Sequence, residues 1–178
     1  FTKFSGPSSS TQIKSSVQRG IKTKIRNQFP MLDDTAMEDL FPPKTPIKLG
    51  KCPGKLTLII IEGRCVFFQE RNGPFCPHLR VLHKYPSMLP HMRCDKGAIK
   101  FVLSGANIMC PGLTSDGGSM DDVEKGVFVA VMAEGKKHAM AVGRTLMSTE
   151  QIKTENKGHG IESIHFLNDD LWRLKDIK

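Results

Sequence analysis

Any chemistry in this chain of 178 residues would start from its thiols and imidazoles. The cysteines are Cys52, Cys65, Cys76, Cys94 and Cys110. No two are spaced C-x-x-C, so the close ligand pair on which a structural zinc site is built is missing. An odd count without a secretory pattern reads as reduced thiols, buried as small hydrophobes, and Cys65, inside an apolar run, fits this best. Cys76-Pro77-His78 sets a thiol beside an imidazole. Two neighbours in a Pro-flanked turn do not by themselves make a nucleophile and its base. His159, between Gly158 and Gly160, is expected in a flexible loop with no evident partner. There is no phosphate or dinucleotide glycine loop and no Gly-x-Ser-x-Gly elbow. The pattern points away from catalysis, metals and cofactors, and toward binding.

The remaining chemistry is charge. Lys and Arg number 26 against 18 Asp and Glu, a net of +8. Residues 1–91 carry 14 basic and 6 acidic side chains, whereas residues 92–178 carry 12 of each. The whole excess therefore lies in the first half, and an anionic partner, nucleic acid first, is expected there. The longest purely aliphatic run, Leu58-Ile59-Ile60-Ile61, is far shorter than a membrane helix requires. The first residues lack the apolar stretch of a signal peptide, so a soluble, cytoplasmic protein is expected.

The elements that must position these charges follow from periodicity. Residues 5–12 read as a flexible lead-in. Ile13, Val17, Ile21, Ile25 and Phe29 recur every four residues, predicting a helix over 11–29 that Pro30 ends. Arg19, Lys22 and Arg26 share a flank beside that stripe. A second helix is predicted over 34–41, with Asp33 or Asp34 as its cap. Strands are predicted over 46–51, 55–61 and 64–70, followed by a turn at Asn72-Gly73-Pro74. Phe67 and Phe68 point to opposite faces, so one of them is assigned to the core. A short basic helix over 77–85, with Leu79 and Leu82 inward, precedes a linker over 87–94. The second half is a series of short apolar runs broken by glycine, which reads as a small barrel. Its strands are predicted at 99–103, 127–133, 139–146 and 161–167, with a capping-box helix start at Ser148-Thr149-Glu150-Gln151.

One segment is more specific. Gly97-Ala98, an apolar stretch, Gly105-Ala106 and then Pro111-Gly112 occur in order. This series resembles the signature of the PUA domain, a small RNA-binding β-barrel. Val129 to Gly135, Ala139 to Gly143 and Met147-Ser148 continue the likeness. Over its whole length the chain resembles the malignant T-cell amplified sequence family, through Phe67-Phe68, Gly73-Pro74-Phe75, Leu82 to Pro86, Leu89-Pro90-His91 and His165 to Trp172. Phe1 would then follow a removed initiator Met. The acidic loop over 116–125 departs from the family pattern and bears on any RNA contact nearby. The Ser8-Ser9-Ser10 lead-in departs as well.

The resemblance implies an α+β chain. Residues 1–91 would form a small family-specific α/β domain and residues 92–178 a PUA-type barrel. It implies no enzyme, but a translation factor that works with density-regulated protein on the small ribosomal subunit. That factor would handle tRNA in reinitiation, non-canonical initiation and recycling. RNA contact in the barrel is assigned to Lys96, Gly97, Lys100, Gly105, Lys136 and Lys137, near the tRNA acceptor end. Docking on ribosomal RNA is assigned to Arg19, Lys22, Arg26, Arg80 and Lys84. His83 reads as a structural hydrogen-bonder and Trp172 as a seal on the barrel. The alternative is an RNA-modification enzyme or its targeting subunit, for which some 90 residues outside the barrel leave little room.

Overall fold

The computed structural model describes residues 1–178. Five strands, β1 (Ser9–Gln12), β2 (Ile47–Cys52), β3 (Leu56–Ile61), β4 (Arg64–Glu70) and β5 (Phe75–Pro77), form an antiparallel meander in chain order. The β3–β4 turn places Glu62 and Gly63 both at positive φ, 49° and 76°, the geometry that suits a two-residue hairpin. Helices α1 (Ser15–Gln28) and α2 (Asp34–Leu40) cover one face, and the Asp33 carboxylate accepts the Ala36 N–H as the α2 cap. Phe67 lies on this side between Phe29 and Phe41, with ring centroids 5.8 and 6.2 Å away. Phe68 faces the other way, toward His165. Both phenylalanines are buried, because the sheet is covered on both faces, so the expectation of one core residue is corrected.

The lead-in is corrected too. Residues 9–12 are not flexible but pair with β2, which delays the first helix to Ser15. Of the stripe on α1, Ile25 and Phe29 are buried, Ile13 and Ile21 half-buried, and Val17 exposed. The edge strand β5 is closed off by Gln28, whose amide donates to the Phe75 carbonyl and accepts the Phe75 N–H. That satisfies an edge otherwise free to pair. Helix α3 (Leu79–Lys84) follows, with Leu79 and Leu82 inward as expected.

The second sheet holds β6 (His91–Cys94), β7 (Ile108–Met109), β8 (Ser119–Met120), β9 (Phe128–Ala133), β10 (Ala141–Thr145) and β11 (His159–Phe166). Their order is β7-β11-β10-β9-β6-β8. They curl into a half-barrel, completing the α+β architecture. The expected linker over 87–94 is instead a short 3-10 turn followed by β6, which runs parallel to β9 with Met92 and Cys94 buried. Its alternation of exposed and buried residues is a strand pattern that Pro90 had obscured.

The strand expected at 99–103 is helical. A 3-10 turn (Lys96–Ala98) leads into α4 (Ile99–Val102). Asp95 caps its start by accepting the Ala98 N–H. At its end Gly105 N–H reaches the Val102 carbonyl and Ala106 N–H the Phe101 carbonyl, both at 3.0 Å. This pair of bonds, with Gly105 at φ +92°, is the Schellman stop. Pro111-Gly112 lies within α5 (Cys110–Thr114), where a first-turn proline costs no hydrogen bond. Helix α6 (Thr149–Glu155) has the expected capping box, and α7 (Asp170–Arg173) closes the chain.

The two halves share a core through strand alternation. Val129, Val131 and Ala133 of β9 point into the half-barrel, whereas Ala130 and Met132 pack with the first sheet. Helix α3 is pinned across this seam. The His78 ring donates to the Leu171 carbonyl (3.3 Å) and the His83 ring to the Ala139 carbonyl (2.7 Å). Trp172 also belongs to the seam rather than sealing the barrel. It stacks on His78 and lies under Arg80, whose guanidinium carbon is 3.9 Å from the ring centroid.

Candidate nucleic-acid interface

The helical reading of residues 95–105 decides the site. The Asp95 carboxylate is used up locally, accepting from Ala98 N–H and from the Ser115 hydroxyl, while Asp95 N–H donates to the Gly112 carbonyl. This fixes α4 above the start of α5. Between them lies a cleft of about 560 Å³. One wall is Gly97, Ala98 and Phe101, and the other is Asn107, Ile108 and Met109. His159, which begins β11 opposite Met109 rather than lying in a flexible loop, also lines the cleft. Phe101 is 55% exposed and Met109 46%, with Leu103 exposed nearby. Large apolar side chains left in water around a cleft mark a binding surface more than a core.

Chemically the cleft suits an unpaired base. A base can stack on the Phe101 ring, while Lys100, its Nζ 5.1 Å from that ring centroid, can meet the adjoining phosphate. Asn107 accepts the Ser163 N–H through its amide oxygen (2.9 Å), which leaves its NH₂ group to donate. Lys96 is exposed at the capped end of α4, and its backbone N–H donates to the Glu134 carboxylate (2.9 Å). That bond ties the β9–β10 turn, which carries exposed Lys136 and Lys137, to the same end of the cleft. Gly97 lines the wall directly. Gly105 does different work: a Cβ there would lie 3.0 Å from the Phe166 ring, so this glycine stops the helix and packs against β11. The acidic loop over 116–125 is anchored at Asp121 by His91 N–H and the Thr149 hydroxyl, and its Gly117 packs closely against the Glu134 carboxylate at the lysine end of the cleft.

The first-half cations are arranged otherwise. Arg19 and Lys22 lie along α1, and Arg26 is ion-paired with Asp34. Lys84 is paired with Asp39 at 2.7 Å, and Lys84 and the Tyr85 hydroxyl together hold the Asp39 carboxyl below its usual range. Arg80 is bound to Trp172 by stacking and by a 2.8 Å bond to its carbonyl. The five residues thus divide between α1 and α3, and α2 contributes a carboxylate to a cation on each.

No activated nucleophile emerges. All five cysteines are free and buried, and burial pushes the Cys94 thiol up to about 12 and the Cys76 thiol well above its ordinary value. His78 accepts the Arg80 N–H through one ring nitrogen and donates to Leu171 through the other, and burial lowers its pKa to about 3. Phe101, Asn107 and Met109 were not among the residues assigned from sequence. The signal was present: Asp95 three residues before Ala98, with Gly105 beyond, is a cap and a stop that enclose a short helix.

Comparison with known proteins fits this geometry. Residues 1–86 match a family described as "Pre-PUA-like domain", and residues 89–170 match "elF2D, PUA domain". The chain is 49% identical to Malignant T-cell-amplified sequence 1 of Danio rerio over 100% of its own length and 98% of that protein. It is 53% identical to the homologue from Dictyostelium discoideum over 94% and 92%. Among solved structures it shares a fold with a conserved PUA domain protein from Thermoplasma acidophilum. That match has a TM-score of 0.67 and 22% identity, and covers 93% of this chain and 98% of the other.

Proposed function

The chain belongs to the malignant T-cell-amplified sequence family, and from that premise we propose that it is a non-catalytic translation factor that binds RNA through its PUA domain. On this reading residues 92–178 hold RNA and residues 1–91 dock on the small ribosomal subunit. The protein works with density-regulated protein and handles tRNA in reinitiation, non-canonical initiation and recycling, in the cytoplasm. No helix is long and apolar enough to cross a membrane.

The observation that carries the reading is the cleft beside α4. An exposed Phe101 with a lysine at its ring, apolar walls and a second lysine cluster at one end form a short-range surface for single-stranded RNA. The test is co-sedimentation with purified small subunits at low salt, with and without density-regulated protein, alongside RNA binding by Phe101→Ala. Subunit binding that is enhanced by the partner, and RNA binding weakened by the substitution, are expected. No sedimentation in either state would overturn the ribosomal role. Unchanged RNA affinity in the variant would overturn the site.

A further inference from the structure

A second hollow, of about 370 Å³, lies on the first half, away from the PUA cleft. Its apolar lining comes from Leu40 of α2, Ile61 of β3, Val66 of β4, Val81 of α3, and Leu174 just after α7. Its basic members are Arg64, Arg80 and Lys84. Asp39 also lines it, but that carboxylate is already bonded to Lys84 and Tyr85. Glu62 is the remaining acid and makes no ion pair. Arg64 and Arg80 have no carboxylate within ion-pair distance. Burial, and then the positive charge of Arg64, both disfavour the charge on Arg80.

Arg80 is not a freely moving surface cation. Stacking on Trp172 and the 2.8 Å bond from Nη1 to the Trp172 carbonyl fix its guanidinium plane. The remaining N–H groups are preorganised, so binding an acceptor loses little side-chain entropy. Two arginines without carboxylate partners beside an apolar floor lack an acidic partner within the chain itself. RNA supplies anions but no bulky hydrocarbon side chain to fill the floor. An acidic peptide with a large apolar side chain supplies both.

We propose that this hollow docks a protein partner through an acidic segment carrying a large apolar residue, the apolar side chain seated on the Val66–Val81–Leu174 floor and its flanking carboxylates on Arg64 and Arg80. The site is separate from the RNA cleft and does not depend on the ribosomal reading. Neutralisation by Arg together with a hydrophobic anchor is a recurrent means of recognising acidic motifs.

The test is fluorescence anisotropy of the full-length chain with a labelled acidic octapeptide bearing a central leucine–phenylalanine pair. A control peptide replaces that pair with glycine and serine. Arg64→Glu, at an exposed strand start, is expected to weaken the first peptide about tenfold with an unchanged melting temperature. Arg80→Lys, which keeps the charge but loses the planar fork, is expected to weaken it as well. The control peptide is expected to bind at least tenfold more weakly than the first. Equal affinity for both peptides, or no effect of Arg64→Glu, would overturn the proposal. Displacement of the peptide by oligouridine from the wild-type chain but not from the Phe101→Ala variant would also overturn it, since the peptide would then sit in the RNA cleft.

Discussion

The PUA cleft and the basic first half offer a partner opposite kinds of surface. The second half has no net charge, yet it presents an exposed aromatic ring, an apolar-walled cleft and lysines at defined places. The first half holds all of the +8 excess, yet Arg26 and Lys84 are ion-paired and Arg80 is bound to Trp172. Net charge therefore measures long-range attraction, which salt screens, whereas affinity at short range follows from groups left unpaired at fixed positions. Net charge favours the first half, whereas the exposed aromatic ring beside a cleft lies in the second.

The largest effect expected is Gly105→Val. It forces a β-branched residue to φ +92° and against Phe166, and should cost about 3 kcal/mol, read as a clear fall in urea midpoint, together with loss of RNA binding. A variant of normal stability would mean that the helix stop does not hold the cleft. Next is Phe101→Ala, expected to lower affinity for single-stranded RNA about tenfold while leaving the melting temperature unchanged, because the ring is mostly in water. Stability should fall with it only if Phe101 served the core.

Acidification probes the seam between the two regions. Burial holds His78 down to about 3 and lowers His165, so in the folded state both resist protonation while the unfolded chain takes up protons from about pH 6.5. The stability that these neutral rings supply is complete above the unfolded value. It falls steadily as pH drops from there toward the folded values, by about 1.4 kcal/mol per pH unit for each fully linked histidine. Urea melts at pH 7 and 5 should show the loss, and His78→Asn should show a shallower one. An unchanged slope would mean that the seam opens before the histidines titrate.

The smallest effects concern salt. Lys96→Gln with Lys136→Gln should flatten the salt dependence of single-stranded RNA binding by about 0.7 for each phosphate that is no longer neutralised. Arg26→Gln should change small-subunit binding less than Arg19→Gln, because Arg26 already has a carboxylate partner in Asp34, and exposed pairs of that kind contribute only about 0–1 kcal/mol. A reversed order would return the weight to bulk charge.

Much of the frame was legible in the chain. β4 was bounded correctly, β3 and α2 nearly so, and the Ser148 cap was read from four residues, because each carries a complete local signal. Two of the errors share a cause. Residues 9–12 and 91–94 are short strands whose pairing partners lie far away, β2 for one and β9 for the other, and no local pattern of four residues announces a distant partner. Ile99 to Leu103 is apolar and β-branched enough to suggest a strand. The cap at Asp95 and the stop at Gly105 overrule that preference, since they satisfy the backbone groups at both ends of a helix.

By itself the sequence determined the α+β class, the uneven charge, the PUA signature and the family likeness. These depend on residue type and order, which folding does not alter. Tertiary structure decided which charges remain free, why both Phe67 and Phe68 are buried, and that Phe101 faces solvent. Ion pairing, two-sided burial and exposure each require a second element brought from elsewhere in the chain, and only packing places Asp34 beside Arg26 or Trp172 beneath Arg80.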